Sequence, residues 1–433
     1  MKFMTLNKET ILLTLFFGLY ACAGLVPNYG AMDRVITQWL YLSIVNLGGL
    51  LYLFSDLNSF NQSINKTIKY KPFILLLAFV LWGLSTYLYA YNQVEVLVKF
   101  FRWINVIFAL FICTTLVNHN KNSLTIISLI ITLVLIFELY FSYFTYFQII
   151  NLAEYNFSFA NLLRGSSANK NITAASILIK TPFLFYILGK YKNVFIRFIL
   201  IIISGLALYL VLLLSARASY ISLILLSVAI LIFKLIQFYK NKQTKILKDT
   251  LLIFIPIFFS FLFFQFNYGN ENSASVLNRV SQLNTEDKST QQRIRFYQHA
   301  SDQIVNNPII GVGMGNWKIK SIDYDKKDIE GYIVPYHTHN DFLEFGAEMG
   351  IIGLLLYLGI FILLAKVIIT KLRHQIFKTE VFPFELVLLL GGLIYFVDAN
   401  LNFPHARVVM QMPFMIYLAL SIRLLTYNQD GEE

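Results

Sequence analysis

Six polar residues, His337, His339, Asn340, Asp341, Glu344 and Glu348, fall within one short stretch, PYHTHNDFLEFGAEMGIIGLL at 335–355, that then turns wholly apolar. Charged residues make up only 14% of the chain and hydrophobic ones 57%, so a titratable cluster against an apolar run is where chemistry is expected. Asn340 or Asp341 suits a helix N-cap, and Asp341 with Glu344 has the spacing of a capping box. His339 then sits at a helix start, where the positive end of the dipole disfavours imidazolium and leaves a neutral ring, the form a general base requires. The plain alternative makes His337 and His339 solvated loop residues. His337, His339 and Asp341 do not have a zinc spacing, and no cysteine is near, so neither a metal nor another cofactor is expected.

Two further sites carry permanent charge. Arg217 stands in the turn Ser215-Ala-Arg217-Ala-Ser219, and Arg293 and Arg295 in a segment at 289–306 that reads as an amphipathic helix. In that helix Ile294, Tyr297, Ser301 and Ile304 recur at three- and four-residue spacing, and Asn307-Pro308 ends it. Arginines supply the bidentate donors that a pyrophosphate needs; the bland readings are snorkelling for Arg217 and a solvated face for the other two. Gly311-Val-Gly313-Met-Gly315 lacks the strand and helix of a nucleotide-binding unit and suits tight backbone packing instead.

The elements that must hold these residues are transmembrane helices. With 433 residues, 40 of them Phe, the chain repeats apolar runs long enough to cross about 30 Å of hydrocarbon. They lie near 9–26, 35–54, 72–90, 95–117, 124–148, 173–189, 194–213, 218–236, 249–267, 351–370, 381–399 and 407–424. None has the short alternation of barrel strands. The expected fold is therefore all-α, a polytopic membrane protein of about twelve spans. Residues 1–267 hold nine of them, 268–350 form a large periplasmic loop with short helices and the motifs, and 351–433 hold the last three, all in one integrated domain.

Alternate loops collect Lys66, Lys69, Lys71, Lys190, Lys192, Lys240, Lys242, Lys245, Lys371 and Arg373, while the opposite loops hold few cations. The basic side is expected to be cytoplasmic, with both termini inside and the 268–350 loop outside. That asymmetry accounts for the net charge of +11 and leaves no reason to expect nucleic acid. The start of the chain reads as an uncleaved first helix, because Tyr20 before Ala21-Cys22-Ala23 suits neither leader cleavage nor lipid attachment. Cys22 and Cys113 fall inside spans and are expected in the core. Asn270 to Ser289 is Asn/Ser-rich and reads as mobile.

The run RIRFYQHASDQIVNNPIIGVGMGNW (293–317) followed by HTHNDFLEFGAEMGIIGLLLYL (337–358) resembles the signature region of the O-antigen ligase/polymerase superfamily. Asn169-Lys-Asn171-Ile-Thr-Ala174 is similar to that family's upstream motif, and Ser215-Ala-Arg217 to its Ser-Arg turn, with an alanine inserted. Tyr297 stands where tryptophan is commoner. The resemblance implies a membrane-embedded glycosyltransferase at the periplasmic face of the bacterial inner membrane, acting among membrane lipids. It would take a glycan from undecaprenyl pyrophosphate, with Arg217 and Arg293 holding the pyrophosphate and His339 as the base. Asn340, His337, Glu344, Asn171 and Arg407 are secondary candidates for positioning. Transfer to a lipid A–core hydroxyl, metal-independent and inverting, is the leading expectation. A polymerase of the same superfamily, a protein O-oligosaccharyltransferase and, from another class, a transporter or flippase are the alternatives.

Overall fold

The apolar runs fold as helices throughout, and no strand occurs among the described residues. The structure, a computed structural model, describes residues 8–31, 33, 35–118, 120, 122–167, 169–268, 288–329, 335–378 and 380–426. In chain order the helices are α1 Lys8–Cys22, α2 Ile36–Ser55, α3 Leu57–Ile68, α4 Lys71–Ser85, α5 Gln93–Asn118, α6 Ser123–Ile150 and α7 Lys170–Lys190. Then come α8 Val194–Leu214, α9 Arg217–Asn241, α10 Thr244–Tyr268, α11 Lys288–Asn306, α12 Trp317–Asp325, α13 Asp341–Gln375, α14 Phe384–Leu401 and α15 Val408–Thr426. Eleven of these elements are long and apolar enough to cross a membrane, and Val408–Leu424 is a shorter apolar helix, in keeping with the twelve expected runs. The protein is a multi-pass membrane protein.

Several helices begin where the sequence offers a cap. Asp56 accepts from Ser59 N–H at the start of α3, an amphipathic helix between two spans that the apolar pattern did not reveal. Asn169 and Asn193 cap α7 and α8 by accepting from Ile172 and Ile196 N–H. Their side-chain oxygens satisfy N–H groups that have no partner within the helix. Inside the bundle, Lys180 of α7 and Glu138 of α6 pair at 2.7 Å, with Ser176 bonded to both. Each charge thus finds its partner on the neighbouring helix, which lowers the cost of holding it away from water. Cys113 is buried as expected, whereas Cys22 is only half-buried.

The amphipathic helix of the large loop is present as α11, but its buried face is rotated from the expected one. Phe296, Ala300 and Gln303 are buried, while Ile294 and Ser301 are exposed. The cause is the surface beneath: α11 lies on α13 and α12, where Ala300 meets Trp317 and Ala347. Residues 269–287, which include most of the stretch expected to be mobile, lie outside the described residues.

The longest helix, α13, starts ten residues before the expected span and bends at Gly350, whose φ of 66° and ψ of −172° suit glycine alone. The bend deprives three carbonyls of helical partners. Val312 and Gly313 N–H donate to Ala347 and Glu348 O, and Trp82 Nε1 donates to Met349 O at 2.9 Å. In return Ile351 N–H donates to Pro308 O at 2.8 Å. The glycine-rich loop is therefore sewn into the break, and a Cβ on Gly311 would fall 2.4 Å from the Glu348 carbonyl carbon. That close approach is what the glycines permit.

A Cβ at Gly350 would meet Ile309 O at 2.1 Å in a backbone conformation closed to other residues. Gly350→Ala should cost about 3 kcal/mol or more of stability. The check is a markedly lower melting temperature in detergent; an unchanged one would show that the bend tolerates a side chain.

Candidate functional site

The site is assembled from four separate pieces of chain: the 335–340 loop, the first turn of α13, the 402–407 segment between α14 and α15, and Lys99 on α5. Asn340 is the cap of α13, accepting from Phe342 N–H at 3.0 Å and Leu343 N–H at 3.1 Å. Thr338 locks the approach: its hydroxyl donates to Asn340 O at 2.6 Å and accepts from Asn340 N–H. Because the cap is Asn340, Asp341 and Glu344 do not form the expected capping box. Their side chains turn inward instead and are almost fully buried.

Each buried carboxylate is matched. Asp341 Oδ1 lies 2.7 Å from His405 Nδ1, and its Oδ2 accepts from the Tyr357 hydroxyl at 3.1 Å and from His405 N–H at 3.3 Å. Glu344 Oε1 lies 2.9 Å from His337 Nδ1 and 3.3 Å from His405 Nε2, and its Oε2 accepts from Thr338 N–H. Lys99 Nζ stands 2.6 Å from His405 Nε2 and 3.8 Å from Glu344 Oε1. Burial and the Lys99 ammonium act against the His405 imidazolium, but the carboxylates of Asp341 and Glu344 outweigh them and hold its pKa above the ordinary value. His337, Glu344 and His405 bring three metal-capable atoms within 4.8 Å of one another. Lys99 already places its own cation against that group.

His339 is built differently. Its backbone is left-handed, with φ of 60°, a strained conformation for a histidine. Its Nδ1 is buried without a hydrogen-bond partner among the described residues, although the ring as a whole is only partly covered. The Tyr297 hydroxyl donates to His339 O at 3.2 Å, which ties the loop to α11. Burial, then the charges of Arg293 and Arg407, pull the His339 pKa down to about 3. The ring is therefore neutral, as expected, with burial and flanking guanidinium groups as the cause. His337 is lowered as well, since burial outweighs its Glu344 carboxylate.

Phe403 joins these groups. His337 stacks on the ring at 4.1 Å, the Arg407 guanidinium carbon lies 3.7 Å from its centroid, and His339 meets it edge-on at 5.0 Å. Arg407 itself is buried. Arg217, the first residue of α9, donates through Nη1 to Thr290 Oγ1 at 2.7 Å. That bond fastens the start of α9 to the first turn of α11, the helix that carries Arg293. Arg295 points elsewhere and pairs with Asp325 at 2.8 Å. Asn171 lies in the first turn of α7 and enters none of these hydrogen bonds.

The structure thus brings together His337, His339, Asn340, Glu344 and Arg407, with Arg293 close enough to act on the His339 charge. Sequence reasoning missed Lys99, Phe403, His405 and the locking role of Thr338. The signal for His405 was its position in Asn402-Phe-Pro-His405-Ala-Arg407, a polar run between two apolar helices.

Comparison with known proteins points the same way. Residues 182–358 match the family described as O-antigen ligase, a stretch that includes Arg217, Arg293 and the 337–348 cluster. The chain is 25% identical over 296 residues to a Rickettsia typhi protein provisionally named a polysaccharide ligase, covering 65% of each chain. A Rickettsia conorii protein of the same provisional name is 28% identical over 113 residues, 24% of this chain and 28% of the relative. The match therefore spans just under two thirds of the first relative and a smaller part of the second.

A histidine with a pKa near 3 keeps its neutral ring throughout the ordinary pH range. In ¹⁵N-histidine NMR the His339 ring shifts should stay constant from about pH 8 to pH 5, where a free histidine with a pKa of about 6.5 changes form. A midpoint close to that ordinary value would mean that the ring is solvated.

Proposed function

We propose that this chain, whose residues 182–358 match the O-antigen ligase family, is a membrane glycosyltransferase of that superfamily moving a glycan from undecaprenyl pyrophosphate to a lipid A–core sugar hydroxyl. The observation that carries this reading is His339: a neutral ring with an unpartnered buried nitrogen, flanked by Arg293 and Arg407. Those guanidinium charges oppose a proton on the ring until an anionic pyrophosphate beside them offsets their field, so the ring gains basicity only with donor bound. The loop position also supports a periplasmic site, since the basic residues that mark the cytoplasmic side lie on the opposite loops.

In the proposed reaction the acceptor oxygen attacks the anomeric carbon from the face opposite the pyrophosphate. The new C–O bond forms as the bond to the pyrophosphate breaks, and the anomeric configuration inverts. The hydroxyl proton passes to a ring nitrogen of His339, and the electron pair leaves on the pyrophosphate. Arg217 and Arg293 balance that charge; two guanidinium forks match its oxygens and require no metal to do so. The bond from Arg217 to Thr290 supports a shared task, since it holds the two arginine-bearing helices against each other. Asn340 caps the helix and Glu344 orients His337, so both position the loop and neither needs to touch substrate.

A transport function would use polar groups along the bundle. Glu138 and Lys180, two charges inside the bundle, are satisfied by each other and by Ser176, which supports a structural role for them.

His339→Ala should lower transfer in a purified assay by about 10²- to 10⁴-fold while leaving donor binding intact. Near-normal turnover would remove the base assignment. Arg217→Lys replaces a fork by a point charge and should weaken donor binding at least about tenfold; unaltered affinity would take Arg217 out of the pyrophosphate site. In cells, loss of the protein should accumulate long lipid-linked glycan. Single repeat units on the core would instead identify the polymerase of the superfamily.

A further inference from the structure

A second polar space lies beside the histidine cluster. A cleft of ≈400 Å³ opens between the connection into α2, which offers Asn28, the first turn of α2, which offers Gln38, the 164–167 turn and the start of α15. That size lies within the range of about 300–1,000 Å³ in which small-molecule sites fall. Arg164 and Arg407 line it, and none of the described lining residues is acidic. Arg407 is 3% exposed, yet its Nη1 has no hydrogen-bond partner among the described residues. A buried guanidinium nitrogen left without an acceptor is costly, and Arg407 is one of the residues that line the cleft.

The rest of the wall suits the same ligand. Arg164 is exposed at a turn whose next residue, Gly165, has φ of 54°. Its carbonyl accepts from Thr173 Oγ1 at 2.8 Å and from Ser167 N–H at 2.9 Å, so the turn is held in place. Ile172 lines the cleft from the first turn of α7, whose positive dipole end adds to the field. On its far side Arg407 lies against Phe403, and the edge of that ring meets His339. A ligand held by Arg407 is one aromatic ring away from the proposed base.

We propose that this cleft is the acceptor subsite and that it takes an anionic sugar, one bearing a phosphate or a carboxylate. Its role as acceptor site rests on the glycosyltransferase reading; its preference for an anionic sugar does not. Two arginine forks hold the acidic group, while Asn28 and Ser166 are placed to meet hydroxyls.

The test is direct binding to the purified full-length protein in nanodiscs, with glucose 6-phosphate, glucuronate and glucose as probes. Both anionic sugars should saturate, with glucose at least about tenfold weaker, the worth of one charge-assisted hydrogen bond. The order of the first two separates phosphate from carboxylate as the preferred group. Arg164→Gln alters an exposed side chain and should weaken both anionic sugars about tenfold without affecting glucose. Undecaprenyl pyrophosphate, bound beforehand, should leave these affinities unchanged. Equal affinity for all three sugars, indifference to Arg164→Gln, or displacement by the carrier would each overturn the proposal, the last by making the cleft part of the donor site. Anionic sugars that bind as described to a protein unable to cleave any polyprenyl-linked glycan would leave the subsite standing and refute the glycosyltransferase reading alone.

Discussion

Two carboxylates at the head of α13, Asp341 and Glu344, are almost wholly removed from solvent, and the architecture of the site follows from the need to match their charge. An unpaired carboxylate in such a place costs several kcal/mol or changes its protonation. The matching groups come from far along the chain: Lys99 from α5, His337 from the preceding loop, and His405 from the segment between α14 and α15. A few charges thereby clamp pieces that helix packing alone would leave free to shift. The same clamp sets the 335–340 loop, because Glu344 accepts from Thr338 N–H and Thr338 in turn fixes Asn340.

Within that clamp the two neighbouring histidines have opposite surroundings. His337 faces a carboxylate and stacks on Phe403, so its position is determined on both sides. His339 faces cations and keeps a nitrogen without a partner. The first arrangement fixes a ring; the second holds a neutral ring whose neighbouring cations oppose a proton. His339 is itself left-handed, with φ of 60°, so the loop departs there from the extended alternation just before the helix begins.

The spans were legible because a bilayer demands long apolar runs, and such runs are visible in any sequence. The catalytic candidates were legible because titratable groups are scarce in such a chain, so His339, Arg217 and Arg293 stood out. What packing decides was not. The phase of α11 depends on Trp317 and Ala347, which lie on other helices, and its mixture of arginines and aromatics allows more than one face. Lys99 could be read only as part of the charge pattern, since it meets His405 across 306 residues. The capping box failed by one position: Asn340 took the cap, and Asp341 and Glu344 were released to a buried role that local spacing cannot express.

The bend at Gly350 divides α13 into 341–349, which carries the polar residues, and 351–375. At about 1.5 Å per residue, the lower part alone reaches roughly 37 Å, more than the hydrocarbon thickness of about 30 Å. The upper part has no need to enter lipid. Its carboxylates, Asp341 and Glu344, are buried by the protein's own side chains. The glycine thus acts as a depth mark, separating a length of helix sufficient to cross the membrane from the length that carries the charge cluster.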